Sequence, residues 1–246
     1  MIVLEFRALL NTYNVTKYYL HCAIFVFIMN LSHLYTLIKK EFDLEFRQSY
    51  ALFGVLLFAA CTVFIIFKSF NTIGAFQWNV LLWIIVVFSG INAVAKSFVQ
   101  ENKETYLHYY TLFDPLELIL AKLIYNFIFI VVIIALVILL LTIFTMNPIV
   151  NWSLFAQGAL LGALGLSCIF TFIAALSGID RGGTTIMSVM ALPLVLPVIL
   201  LLIKITAVSM ALMVDTSVGG DLLILAAIDL MICGLMLLLF PIIWRS

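Results

Sequence analysis

Six long apolar runs constrain this chain more than any other feature. They lie at roughly 51–70, 76–95, 119–145, 153–177, 186–212 and 222–244, and each is near the ~20 residues that a helix needs to cross a hydrocarbon core. Inside lipid no water is present to bond backbone N–H and C=O groups, so only helices and closed barrels can span it. The runs are continuous rather than alternating, which selects helices over a barrel. Only 10% of the residues are charged, against about a quarter in a soluble domain. The expected fold is therefore an all-α integral membrane protein with six transmembrane helices. Lys+Arg and Asp+Glu are 12 each, so no net charge draws the chain to nucleic acid.

The basic residues orient these spans. Lys39, Lys40, Arg47, Lys96, Lys103, Lys122, Arg181 and Arg245 flank one side; Lys68 and Lys204 fall on the other. An excess of Lys and Arg marks the cytoplasmic side, which puts both ends of the six-span unit there. Trp78 and Trp152 then fall at the outer edge and Trp244 at the inner edge, where amphipathic rings favour the headgroup layer.

Ahead of the first span, Leu34, Leu37, Ile38, Phe42, Glu45 and Phe46 recur at helical spacing. Lys39, Lys40, Glu41, Asp43 and Arg47 fall mostly elsewhere. This pattern predicts an interfacial helix over 32–49. Residues 1–28 hold an apolar stretch too short for a span and no small-residue cleavage site. They read as an upstream extension, with the start at Met29; the intact mass of the native protein tests this.

The largest polar insertion is 96–122, KSFVQENKETYLHYYTLFDPLELILAK. Two antiparallel helices need only a few connecting residues. Five aromatics stand among its charges: Phe98, Tyr106, Tyr109, Tyr110 and Phe113. Aromatics anchor protein interfaces, so the segment either docks a partner or packs on itself in the interfacial layer. Asp114, Pro115 and Glu117 give it a helix start: proline in the first turn, with acids at the positive end of the dipole. The connections on the other side, 145–152 and 214–221, are too short for a domain.

Several chemistries lack their motifs. There is no phosphate-binding loop with its lysine, no HExxH and no GxSxG. The histidines (His21, His33, His108) are isolated. Cys22, Cys61, Cys168 and Cys233 form no metal or redox spacing and read as buried, reduced thiols. No constellation of haem ligands is present.

Ionisable residues at membrane depth are functional candidates by default. Lys204, late in the fifth run, and Asp229, early in the sixth, come out at similar depth, so they are expected to pair or to share a polar cavity. The alternative is that Lys204 snorkels outward and Asp229 is neutral or hydrogen-bonded. Gly158, Gly162 and Gly165 form a small face in the fourth run, suited to close helix packing within the subunit. Asp180, Arg181, Gly182 and Gly183 read as a cytoplasmic turn, with Asp180 or Thr184 as the helix cap. Pro193 and Pro197 lie on one face of the next helix and kink or soften it. Such a helix faces a partner or a pathway, or is simply packed that way.

The stretch GIDRGGTTIMSVMALPLVLPVILL, with Arg181, Gly182, Gly183, Leu192, Pro193, Leu194 and Pro197, closely resembles the haem exporter protein B (CcmB) family. Phe98, Glu101 and Lys122 match that family's pattern between spans two and three, and the likeness covers residues 34–246. It implies an ABC-2 permease-like fold with an N-terminal interfacial elbow helix and a six-span domain over 51–246. It also implies a cytoplasmic coupling segment, 96–117, that docks a separate ABC ATPase through Phe98, Glu101, Glu104, Tyr109 and Asp114. The implied function is that of a non-enzymatic membrane subunit in the inner membrane for haem export or delivery in c-type cytochrome biogenesis. Haem is then the possible cargo, and ATP acts through the partner subunit. The other implied partners are a haem-handling membrane subunit, a small membrane subunit and a periplasmic haem chaperone. The competing readings are an ABC-2 permease for a lipid, glycan or drug, and a membrane enzyme.

Overall fold

The computed structural model describes residues 31–47, 50–69, 73–99, 115–177, 183–213 and 217–244. Among them the chain is all helical, with no strand: α1 (Leu31–Arg47), α2 (Tyr50–Ser69), α3 (Ala75–Val99), α4 (Pro115–Phe144), α5 (Trp152–Ser177), α6 (Gly183–Ser209) and α7 (Val218–Trp244). Helices α3 to α7 are each long and apolar enough to cross a membrane; the apolar stretch of α2, Phe53–Ser69, is shorter.

The bundle is built around α3 and α5. Both bury most of their span residues, whereas α4, α6 and α7 bury a third or less. Helix α5 packs against α3, α4, α6 and α7. Lipid tails are as apolar as leucine, so helix association in a membrane rests on close contact and hydrogen bonds instead of the hydrophobic effect. Gly162 supplies the contact: a Cβ there would lie 2.7 Å from the methyls of Leu202 on α6. Gly158 faces Ile205 one turn away. The small face expected in the fourth run is thus spent inside the subunit.

Hydrogen bonds do the rest. The Asn79 amide on α3 donates to the Ile203 carbonyl (2.8 Å), and the Trp83 indole donates to the Thr206 hydroxyl (3.1 Å). That hydroxyl lies 2.6 Å from Asn79 Oδ1, to which it donates. Asn126 on α4 donates to Thr171 on α5 at 2.8 Å. Each of these groups would otherwise be a costly orphan at depth.

Caps fix the turns at the end of the bundle remote from α1. Asn151 accepts from the Leu154 N–H and caps α5. The Ser209 carbonyl accepts from the N–H groups of Val150 and Asn151, tying this turn to the end of α6. Helix α6 closes with paired bonds from Leu212 to Ala207 and from Ala211 to Val208, and Ala211 takes φ 55°. This is a Schellman ending with alanine where glycine is usual.

Two expectations are corrected. Trp78 is not an exposed belt residue: its side chain turns into the bundle and is buried, while Phe76 in the same turn of α3 stays exposed. Trp152 is half exposed, as an edge residue should be. Among the cysteines, Cys168 is buried and Cys233 half-buried, but Cys61 is exposed on α2, which packs mainly against α3 and α4.

Candidate functional site: two polar joints and a buried acid

The first joint lies where α1 meets the start of α4. Helix α4 begins at Pro115 with Glu117 in its first turn, as the Asp-Pro signal predicts. Leu37 of α1 packs against Ala121 of α4, and Phe42 meets Tyr125 edge-on at 5.2 Å. Between these contacts Lys122 Nζ lies 3.7 Å from Glu41 Oε2. Lys122 is fully buried and Glu41 nearly so. Sequence reasoning misses this pair. It treats Lys122 as a flanking charge and Glu41 as part of the polar face. The signal was available: Lys122 shares 3–4 spacing with Leu118, Tyr125 and Phe129, all buried, and Glu41 follows Leu37 by one turn. The outward face of α1 carries Tyr35, Lys39 and Asp43.

The second joint lies at the remote end. Lys204 does not pair with Asp229: its Nζ is 2.8 Å from Asp221 Oδ2. The sequence placed the last span from 222 onward, but α7 already begins at Val218. Asp221 therefore sits in the first turn, where the helix dipole favours an acid. Asp229 is eight residues further on, about 12 Å along the axis.

Asp229 itself is 1% exposed. Neither carboxyl oxygen has a hydrogen-bond partner among the described residues. The carboxyl lies against Gly165 of α5, so close that any Cβ there would collide with it. Cys233, four residues on along α7, and Cys168, three residues past Gly165 on α5, share the faces on which Asp229 and Gly165 meet.

The other predicted residues divide as follows. Glu101, Glu104, Tyr109 and Asp114 lie outside the described residues, as do Asp180, Arg181 and Gly182. Phe98 is in the last turn of α3, and Gly183 is the first residue of α6. Pro193 and Pro197 are exposed on α6, which runs as one helix through both. No group of three or more potential metal ligands occurs among the described residues.

A family model described as CcmB protein matches residues 32–242, which takes in all seven helices apart from the last residues of α7 and the first of α1. No curated protein matches the chain.

Proposed function

This chain belongs to the CcmB family, and from that premise we propose how its α1 end serves an ABC transporter. Membership makes it the membrane subunit of the haem export ABC transporter in cytochrome c maturation. It is a permease subunit, not a catalytic one, and its family works with an ABC ATPase. It is a multi-pass membrane protein.

The finer reading is ours. Helix α2 counts as a sixth span beside α3 to α7, and α1 is the elbow of an ABC-2 permease-like fold. The α1 end faces the cytoplasm, with both ends of the six-span unit on that side of the inner membrane. The coupling segment 96–117 docks the ATPase through Phe98, Glu101, Glu104, Tyr109 and Asp114, and the turn at 180–183 lies on the same face. One observation supports this strongly. The segment ends in the first turn of α4, at Glu117, and the next turn is fastened to α1 by the buried Glu41–Lys122 pair. Movement imposed on the segment therefore reaches α1 and α4 together. The further partners are a haem-handling membrane subunit, a small membrane subunit and a periplasmic haem chaperone.

A strain lacking the gene tests the function. Covalent haem bands in membranes and periplasm should disappear and return with the gene; intact bands would revive the lipid, glycan or drug exporter. Docking is tested by Glu101→Lys and Glu104→Lys, which should lower co-purification of the ATPase several-fold. Unchanged recovery would move the docking site elsewhere.

A further inference from the structure

We propose that the seam between α5 and α7 opens to water during the transport cycle, exposing Asp229 and the Cys168 thiol. The inference rests on the ATPase-driven reading above.

The starting point is the carboxyl of Asp229, almost wholly buried and without a hydrogen-bond partner among the described residues. Buried polar atoms are normally satisfied, and an orphan at this depth is unfavourable. A partner subunit, a lipid headgroup or water could supply a donor only if it reached the group. In this arrangement a partner subunit, a lipid headgroup and bulk water have no access, because the side chain is enclosed by the chain's own helices. They reach the acid only when its enclosure parts. A second packing in which it is hydrated is favoured relative to this one by the same orphan, and that biases a two-state equilibrium.

The place of parting follows from what touches the carboxyl. Gly165 of α5 supplies its floor, and the approach is so close that no other residue fits there. Cys233, one turn along α7 from Asp229, and Cys168, nearly one turn along α5 from Gly165, continue the same seam. The seam is thus lined by a carboxyl, two thiols and a bare glycine backbone, whereas the polar groups at the α3–α6 and α4–α5 contacts are hydrogen-bonded to each other. The α5–α6 contact differs: Gly162 there meets the Leu202 side chain and Gly158 meets Ile205, and separation at these points would expose apolar groups to water. The remote end of α7 carries the Asp221–Lys204 pair and its other end packs Met236 and Phe240 against Ile119 of α4, so the parting lies between these two holds.

The test uses the transporter with its ATPase in lipid nanodiscs, with Cys22 and Cys61 replaced by serine. N-ethylmaleimide adds a thiol across its double bond, and mass spectrometry reads the modified fraction of Cys168 alongside ATP hydrolysis. Cys168 is fully buried here, so labelling without nucleotide should be low and should rise several-fold during turnover. Asp229→Leu, which removes the orphan, should suppress that rise. Asp229→Asn, which keeps a polar group of the same shape, should retain most of it and serves if the leucine variant does not assemble. Cys168 protected equally in both conditions while ATP is hydrolysed would overturn the proposal. So would turnover labelling that Asp229→Leu leaves unchanged. Absence of ATP hydrolysis and of bound ATPase would instead strike the coupling reading on which the proposal rests.

Discussion

Two ion pairs among the described residues, Lys204–Asp221 and Glu41–Lys122, sit at opposite ends of the bundle and differ in kind. Lys204 and Asp221 approach to 2.8 Å, yet the lysine side chain is 39% exposed. Glu41 and Lys122 are further apart, at 3.7 Å, yet the lysine is wholly enclosed. Distance alone would rank the first pair as stronger. Environment reverses the order: an exposed pair exchanges solvation for a screened attraction and gains little. A buried pair is little better than apolar packing in its place, but losing one partner strands a charge. The remote pair is a trim on a helix start, and the pair under α1 is a fastening that fails badly when half of it is removed.

Lys122→Ala is the sharpest way to break that comparison. It leaves Glu41 with Lys40, 3.4 Å from its other carboxylate oxygen, and should cost about 3 kcal/mol, the low end for removing half of a buried pair, visible as a large drop in folded yield and thermal stability in detergent. Adding Glu41→Gln should recover part of the loss; no recovery would mean that the lysine matters through its other contacts. Thr206→Val lies near the remote end but in the core. It strands the Trp83 N–H and the Asn79 carbonyl oxygen, and it should cost about 1–3 kcal/mol in the same melt. A cost that large would show that burial, and not which end of the bundle is involved, sets the scale. Lys204→Ala should be the mildest, about 0.2–1 kcal/mol and smaller still at high salt. A loss comparable to that of Lys122→Ala would erase the distinction between the two pairs.

Much of the architecture was legible in the residues. The start of α4 followed from Asp114, Pro115 and Glu117, because proline and acids suit a first helical turn and little else. The outward face of α1 followed from Lys39 and Asp43. The glycine face of α5 announced close packing, although not its partners: Gly158 and Gly162 meet α6, while Gly165 meets Asp229. The site was less legible. Asp221 was passed over as a loop residue because the apolar run does not mark where a helix begins. Trp78 looked like a belt residue because depth along a span says nothing about which way a side chain turns.

The sequence by itself determined that the chain crosses lipid as helices, since an apolar run of that length has no other way to satisfy its backbone. It also determined where α1 and α4 begin and, through the likeness at 178–201, the family. Only the tertiary structure decided which charges meet. Span helices such as α4, α6 and α7 are apolar nearly all round, so no polar stripe tells which face turns inward. Their rotation and register are set by contacts between helices: a missing Cβ at Gly162, a hydroxyl at Thr206, a space at Gly165. Those contacts join residues far apart in the chain, and a shift of one residue in register would give Lys204, Lys122 and Asp229 other neighbours.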